Sequence, residues 1–271
     1  MKRKPTHSLV LAPPPDFSRF AGDPDFVLSL ARGLKVIEAF EGRTGGVTPS
    51  QIATLTGFSR AAVRRLLVTL EGLGYAHTDG RSYTLSTGVL KLGFSYLSST
   101  SLTSLAQSLL ERMIDDIHES ISVSVLDGDE IVYVARASTQ RVMSIALSIG
   151  SRLPAYCTSM GRVLLGTLPD EELIAYLNRA NLKANTPKTL TDKALLRDII
   201  RQAAAAGYSL TDEELELGLR SVAVPIRARN GQVVAAMNVG VPAARISNAD
   251  LLEKFLPKLR HYAQQLGDVL S

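Results

Sequence analysis

VTPSQIATLTGFSRAAVRRLLVTLEGLGYAHTDGRSYTLS, residues 47–86, contains two helical patterns joined by a turn and followed by a hairpin pattern. Pro49 suits the first turn of a helix that begins after Thr48, because its missing N–H would have no partner there. Gly57 marks a tight turn, and Ser59 can cap a second helix whose apolar residues recur at steps of three and four. A DGRS turn then separates the two short segments of the hairpin pattern. This order predicts a winged helix-turn-helix.

The second helix carries its arginines on the side opposite its apolar residues. From Arg43 to Leu70 the chain has four arginines and no acidic residue, a one-sided charge that suits the phosphate backbone of DNA. The alternative is that these arginines are only the solvated face of an amphipathic helix. We predict DNA contacts from the two helix starts and the wing, namely Thr48, Ser50, Gln51, Ser59, Arg60, Ala61, Arg64, Arg65 and Arg81.

The composition is that of a folded protein with room for two domains, since 45% of the 271 residues are hydrophobic and 21% are charged. A net charge of +4 is compatible with an anionic partner but does not identify one. The single cysteine, Cys157, excludes an internal disulfide and suggests a reducing compartment, so we expect a cytoplasmic protein. We expect no membrane span, because no apolar run reaches roughly 18 residues, and no signal peptide.

Four segments are expected along the chain. Residues 1–24 form a disordered arm whose basic start, MKRK, either touches the DNA backbone or has no specific role. Residues 25–86 form the winged helix-turn-helix, including a first helix. Residues 87–103 form an apolar linker helix in which Lys91 is the only charged residue. Its apolar surface meets either a second subunit, as DNA reading by a dimer would require, or its own domain.

Residues 104–271 form the second domain, for which we predict an α+β fold with an antiparallel sheet. A helix over 106–119 precedes a hairpin over 121–137, whose residues alternate with period two. A third strand is expected over 143–149, followed by helices over 160–165, 170–177 and 195–206. A second hairpin over 221–241 turns at Asn230 and Gly231, and a helix over 251–270 closes the chain.

Two further motifs follow the DNA-binding unit in the chain: LPAYCTSMGRVLL at residues 153–165 and GYSLTDEELELGLRSVAVPI at residues 207–226. With the winged helix-turn-helix and the apolar linker, they resemble the IclR family of bacterial transcription regulators. Thr211 stands where that family usually has an acidic residue. Within the family, the chain is similar to the branch that governs protocatechuate and 4-hydroxybenzoate breakdown through the β-ketoadipate pathway.

The resemblance implies a GAF-like effector domain with a pocket between its sheet and the loop before the 160–165 helix. Pocket positions of the family correspond to Ser159, Met160, Thr211, Ser221, Asn238 and Gly240. The residues themselves suggest further contacts. Arg136 or Arg152 could pair with a carboxylate, or both could be surface arginines. Tyr133 and Tyr156 could form an aromatic wall, or pack in the core.

The start of the 160–165 helix could also bind a carboxylate through its free N–H groups, or Thr158 could be an ordinary N-cap. Catalysis has little support, because no histidine lies at metal-ligand spacing and no phosphate loop or nucleophile elbow is present. We expect no metal and no cofactor. Cys157 is either a buried thiol or a nucleophile.

These features predict a regulator, not an enzyme, in which a small organic acid of the β-ketoadipate, protocatechuate or 4-hydroxybenzoate type controls binding to double-stranded operator DNA by a homodimer or dimer of dimers. Three alternatives remain open: a regulator of another carboxylic-acid pathway, an enzyme fused to a DNA-binding module, and an architectural DNA-binding protein without a ligand.

Overall fold

A computed structural model of the chain describes residues 16–43, 45–99, 101–138 and 147–270. The chain divides into two compact units, Met1–Tyr96 and Leu97–Ser271. The division falls inside the segment for which a linker helix was predicted. No helix in the described ranges has both the length and the apolar composition of a membrane span.

The first unit is a helix-turn-helix followed by a two-stranded wing. Its elements are α1 (Leu28–Glu38), α2 (Pro49–Thr56), α3 (Arg60–Gly72), β1 (Ala76–Thr78), β2 (Tyr83–Leu85) and α4 (Leu90–Ser99), the last continuing across the boundary between the units. α2 is followed by Gly57, whose φ of 72° is the left-handed conformation that glycine adopts without strain. Val36, Ile52, Val63 and Leu67 are fully buried. The three-and-four spacing of α3 therefore does place its apolar side in the core of this unit.

The folded part of the first unit begins earlier than predicted. Residues 1–15 lie outside the described part of the chain, but Ser18–Phe20 form a 3₁₀ turn. Phe20 stacks on Phe26 with ring centroids 4.1 Å apart, and the Phe17 ring lies 6.4 Å from that of Phe58. The expectation of a disordered arm up to residue 24 is therefore wrong for residues 16–24, because their aromatic rings pack against the helix-turn-helix.

The second unit is built on a six-stranded antiparallel sheet of order β5-β4-β3-β8-β7-β6. Before the sheet comes α5 (Ser101–Ile117). The strands are β3 (Ser120–Asp127), β4 (Glu130–Ala137), β5 (Arg152–Pro154), β6 (Ser209–Asp212), β7 (Leu219–Arg227) and β8 (Val233–Pro242). The later helices are α6 (Ser159–Leu165), α7 (Asp170–Arg179), α8 (Lys193–Ala206), α9 (Asn248–Asp250) and α10 (Leu256–Gly267).

Helices cover both faces of this sheet. One face packs with α5 and α10 around a core that includes Ile121 and Val123 of β3. The alternate residues of β3 point to the other face, where the hydroxyl of Ser124 donates a hydrogen bond to Met160 Sδ of α6 at 3.2 Å. The serine positions of β3 therefore lie on the same side of the sheet as α6.

The observed secondary structure differs from the prediction at the strand expected over 143–149, at β6 and in the closing helix. Of the strand expected over 143–149, residues 143–146 lie outside the described ranges and 147–149 are not in a strand, so the described partner of β4 on the side away from β3 is β5. β6 was not predicted. The closing helix contains a π-helical turn at Leu251–Phe255, just before Pro257, which has no N–H to donate to the preceding helical turn.

Candidate nucleic-acid interface and ligand pocket

The exposed side of α3 is basic. Arg60, Arg64 and Arg65 are exposed, and none of them forms an ion pair with a residue that the structure describes. The side chain of Ser59 caps the helix by accepting a hydrogen bond from the Ala62 N–H at 3.3 Å. Because Val63 and Leu67 fix the opposite side in the core, the arginine side chains are held toward solvent, where a phosphate or a guanine edge could reach them.

Two of the predicted DNA contacts also stabilise the start of α2. Thr48 and Gln51 form a capping box, in which the Thr48 N–H donates to Gln51 Oε1 at 2.8 Å and the Gln51 N–H donates to Thr48 Oγ1 at 3.3 Å. Ser50, between them, is exposed. The start of α2 is therefore held by its own hydrogen bonds and leaves the Ser50 side chain exposed.

The wing is a compact turn held by Asp79. Its carboxylate accepts hydrogen bonds from the N–H groups of Ser82 at 2.6 Å and Arg81 at 2.8 Å. These bonds, led by that from Ser82, lower the pKa of Asp79 to about 2. The turn leaves Arg81 exposed at the tip. The nine predicted DNA contacts thus lie on α2 and α3, at their N-cap residues Thr48 and Ser59, and on the wing.

A pocket lies in the second unit, on the sheet face that α6 covers. Its empty space, including the part open to solvent, is about 490 Å³. It is lined by Ser120, Ser122, Tyr133, Arg136, Leu147, Cys157, Thr158, Ser159, Met160, Thr211, Leu215, Leu219, Ser221, Asn238 and Gly240. Eight of the ten predicted effector contacts are in this set, all but Arg152 and Tyr156.

Three hydroxyl groups form a chain along one side of the pocket. Ser159 Oγ of α6 lies 2.6 Å from Ser221 Oγ of β7, and Ser221 Oγ lies 3.1 Å from Thr211 Oγ1 of β6. All three residues are buried. The chain connects the start of α6 to two strands of the sheet.

Arg136 supplies the positive charge of the pocket. It is half-buried, and its Nη1 donates to Ser122 Oγ of the neighbouring strand at 3.4 Å. No carboxylate in the described part of the chain pairs with it. Asn238 faces Ser122 from the other side, since the two residues are partners in the β3–β8 register. Its Oδ1 is buried and has no hydrogen-bond partner among the residues that the structure describes.

A β-bulge brings Tyr133 and Arg136 to the same face of β4. Residues three positions apart on a regular strand point to opposite faces. Here the register shifts between Val123 and Ser124 of the paired strand, so Arg136 pairs with Ser122 while Tyr133 pairs with Ser124. Burial raises the pKa of Tyr133 to about 12, so its phenol is neutral at physiological pH.

Arg152 and Tyr156 do not line this pocket, in agreement with the alternatives of a surface arginine and of core packing. Arg152 lies on the edge strand β5, is 44% exposed at its side chain, and pairs with Asp127 and Glu130. The hydroxyl of Tyr156 donates to the backbone carbonyl of Lys183. Arg152 therefore forms ion pairs at the edge of the sheet, and Tyr156 forms a hydrogen bond with the segment between α7 and α8.

Thr158 has the ordinary N-cap geometry that was the alternative to a carboxylate site. Its Oγ1 accepts a hydrogen bond from the Gly161 N–H at 3.2 Å. Gly161 also allows a close approach, because a Cβ there would lie 2.1 Å from the backbone oxygen of Ala155. A carboxylate at this helix start stays a prediction.

Several pocket residues were not predicted: Ser120, Ser122, Leu147, Cys157, Thr158, Leu215 and Leu219. A signal for two of them was present in ISVSVL, residues 121–126, with Ser120 before it, because serine occupies every second position of this segment. Cys157 is fully buried, and burial raises the pKa of its thiol to about 11. This favours the buried-thiol interpretation over the nucleophile. The described residues contain no group of three or more candidate metal ligands.

Comparisons with known proteins cover almost the whole chain. A family model described as the bacterial transcriptional regulator IclR C-terminal domain matches residues 94–268, and the IclR helix-turn-helix domain matches residues 29–80. The Pca regulon regulatory protein of Pseudomonas putida is 50% identical, with 93% of this chain and 87% of that protein covered. The p-hydroxybenzoate hydroxylase transcriptional activator of Acinetobacter baylyi is 37% identical, with 91% of this chain and 93% of that protein covered.

Two solved structures are also similar. A protein described as a transcriptional regulator from Rhodococcus sp. RHA1 has 48% identity and a TM-score of 0.79, with 89% of this chain and 97% of that chain covered. The inducer-binding domain of a PobR double mutant from Acinetobacter, in complex with 3-hydroxybenzoic acid, has 34% identity and a TM-score of 0.60. That match covers 63% of this chain and 100% of the other.

Proposed function

This chain belongs to the IclR family of bacterial transcriptional regulators, and we propose that it controls genes for aromatic acid breakdown when a small organic acid binds the pocket of its second unit. The observation that carries the proposal is the half-buried Arg136, which has no carboxylate partner among the described residues and lies in a cavity that also offers hydroxyl and amide groups. A half-buried guanidinium in this state favours an anionic ligand, because the ligand would complete a charge-assisted hydrogen bond partly shielded from water.

The relatives narrow the class of acid. Two of them are named for the Pca regulon and for p-hydroxybenzoate hydroxylase, and a structural neighbour binds 3-hydroxybenzoic acid. We therefore propose 4-hydroxybenzoate, protocatechuate or β-ketoadipate as effector candidates. A regulator of another carboxylic-acid pathway is the alternative. The relatives are transcription regulators, and we propose no catalytic role for Ser159 or Cys157.

The proposed DNA-binding surface comprises the nine predicted contacts on α2 and α3, at their N-cap residues Thr48 and Ser59, and on the wing. We propose that two copies of the chain bind an operator together, because two recognition helices must be held about one helical turn of DNA apart. Operator binding would place the protein in the cytoplasm. The effector acts by binding more tightly to one arrangement of the paired DNA-binding units than to another, and the segment from Thr87 onward joins the two units.

A gel-shift titration tests this proposal. The probe is the DNA upstream of the protein's own gene and of neighbouring aromatic-catabolism genes, and each candidate acid is titrated against the complex. We expect a shifted complex whose affinity changes with at least one acid. Arg136→Gln should keep DNA binding and lose the response, while Arg152→Gln, outside the pocket, should keep both. No complex on any of these probes would contradict the proposal, as would a complex that no acid changes.

A further inference from the structure

The pocket has two chemically different ends, and we propose that it holds an aromatic acid whose carboxylate pairs with Arg136 and whose ring hydroxyl is bound by Asn238 and the Ser159–Ser221–Thr211 chain. This inference rests on the proposed function, since it requires that the pocket binds an aromatic acid. It adds the orientation of the ligand and the residue that recognises its hydroxyl group.

The charge of Arg136 determines which end of the pocket binds the carboxylate. Among the residues that the structure describes, Arg136 is the only arginine or lysine that lines the pocket, and its guanidinium donates to Ser122 of this set, which leaves other N–H groups for a ligand. A hydroxyl or amide contributes a weaker interaction with a carboxylate than a guanidinium does. A ligand with one carboxylate therefore orients that group toward β4, where Arg136 lies.

The opposite end contains an acceptor without a donor. Arg136, Ser122 and Asn238 follow one another across β4, β3 and β8 in direct register. Adjacent strands lie about 4.8 Å apart, so Arg136 and Asn238 begin roughly 10 Å from each other. Among the described residues that line the pocket, only Asn238 has a buried side-chain polar atom without a hydrogen-bond partner. Its Oδ1 can accept a bond that the protein does not supply.

The hydroxyl chain supplies one donor. Three hydroxyl groups carry three O–H protons, and the two hydrogen bonds within the chain use two of them. Whichever way the bonds run, one proton remains for another acceptor. Ser221 pairs with Gly240, two residues along β8 from Asn238, so Ser221 and Asn238 are diagonal neighbours on the same face and can reach one ligand atom.

One acceptor and one donor match a hydroxyl group, which donates to Asn238 Oδ1 and accepts from the chain. A second carboxylate matches less well, because it has no proton to give to Oδ1. Tyr133, Met160 and Leu215 also line the pocket, and their apolar surfaces suit an aromatic ring. The pocket is thus built for a hydroxylated aromatic monocarboxylic acid rather than an open-chain dicarboxylic acid.

Calorimetric titration of the full-length protein with matched acids tests the hydroxyl contact. The pairs are 4-hydroxybenzoate with 4-methylbenzoate and 3-hydroxybenzoate with 3-methylbenzoate, in which a methyl group replaces the hydroxyl at similar size. β-Ketoadipate is the dicarboxylic probe. We expect at least one hydroxy acid to bind about tenfold or more tightly than its methyl partner, since the methyl leaves Asn238 unpaired. We also expect it to bind more tightly than β-ketoadipate.

Variants of Asn238 then test whether this residue contacts the hydroxyl group of the ligand. Asn238→Leu should abolish the preference for the hydroxy acid, whereas Asn238→Asp, which retains an acceptor, should keep it. Asn230→Asp, the same change in the exposed β7–β8 turn, serves as the control and should leave all affinities unchanged. Thermal unfolding checks that each variant folds. If the leucine variant does not fold, the aspartate variant decides, because loss of the preference there would mean that Asn238 acts as a donor.

The outcomes separate the two proposals. Equal binding within both ligand pairs, or tighter binding of β-ketoadipate than of either hydroxy acid, would overturn the orientation proposed here and leave the proposed function intact. A preference that survives Asn238→Leu would do the same. Failure of every acid to bind the wild-type protein would overturn the proposed function and this inference with it.

Discussion

Arg162 and Glu214 form a buried ion pair in which two hydrogen bonds run in parallel, from Nη1 to Oε1 at 2.7 Å and from Nη2 to Oε2 at 2.6 Å. Arg162 lies on α6, and Glu214 follows β6. The pair therefore joins the helix that carries Ser159 to the segment that carries Thr211. The remaining groups are also bonded, since Arg162 Nε donates to the Tyr156 carbonyl and the Leu190 N–H donates to Glu214 Oε2.

Removal of either partner of this pair should destabilise the protein strongly. We expect Arg162→Met or Glu214→Gln to lower the free energy of unfolding by about 3–5 kcal/mol, because each leaves a buried charge without its partner. Urea unfolding of the full-length protein measures the change. The double variant Arg162→Met/Glu214→Leu should lose less than the sum of the single changes, because it removes both charges.

Arg152 provides the control for that experiment. Its ion pairs with Asp127 and Glu130 are exposed, and exposed pairs contribute at most about 1 kcal/mol. Arg152→Gln should therefore change the free energy of unfolding by that amount or less. If the Arg162 and Arg152 variants lose equal stability, the buried pair has no special structural role.

The wing should lose stability in acid through Asp79. Hydrogen bonds to its carboxylate lower the pKa of Asp79 to about 2 in the folded protein, while an unperturbed Asp has a pKa near 3.9. The stabilisation is therefore complete above about pH 4 and is lost as the pH falls toward 2. Asp79→Asn should lower the melting temperature near pH 6 and cause progressively less loss toward pH 2. A loss that does not depend on pH would mean that the carboxylate charge is not responsible.

The sequence predicted the helix-turn-helix well because local signals agree there. The apolar spacing of α3, the serine cap and the glycine turn each identify the same element, and no distant residue is needed to define it. The start of the folded part of the first unit, before residue 24, was not predicted because local signals are absent there. Phe17 and Phe20 have no local periodicity, and their order comes from contacts with rings at positions 26 and 58.

The pocket residues were predicted largely from the family resemblance. The structure adds spatial relationships that the spacing of residues along the sequence could not predict. Tyr133 and Arg136 share a face only because of the bulge in the β3–β4 pair, which period-two alternation does not reveal. Arg152 was a reasonable candidate by residue type, but its acidic partners lie at positions 127 and 130, across the sheet edge. The partner of a charged side chain is a tertiary property, so one sequence left Arg136 and Arg152 equivalent.

Arg64 should contribute to operator recognition from the exposed side of α3. We expect Arg64→Ala to weaken operator binding by about 1–3 kcal/mol if it contacts a guanine, and to weaken all DNA alike, with a smaller salt dependence, if it contacts only phosphate. Fluorescence anisotropy on operator and random duplexes at several salt concentrations distinguishes the two results. Arg197→Ala, on α8 of the second unit and paired with Asp170, is the control. Unchanged binding to both duplexes would remove Arg64 from the interface.

Two glycines near the pocket should respond differently to the same added methyl group. A Cβ at Gly240 would have Leu219 Cδ1 at 3.8 Å as its nearest neighbour, whereas a Cβ at Gly161 would lie 2.1 Å from the Ala155 backbone oxygen. Alanine is the better helix former by about 1 kcal/mol, but relieving this overlap should cost more, about 1–3 kcal/mol. We therefore expect Gly161→Ala to lower the melting temperature.

Gly240→Ala should preserve the melting temperature and weaken binding of the aromatic acid, because its methyl group occupies pocket space. Unfolding and calorimetric titration measure both effects, and undiminished ligand affinity in Gly240→Ala would show that the ligand binds elsewhere.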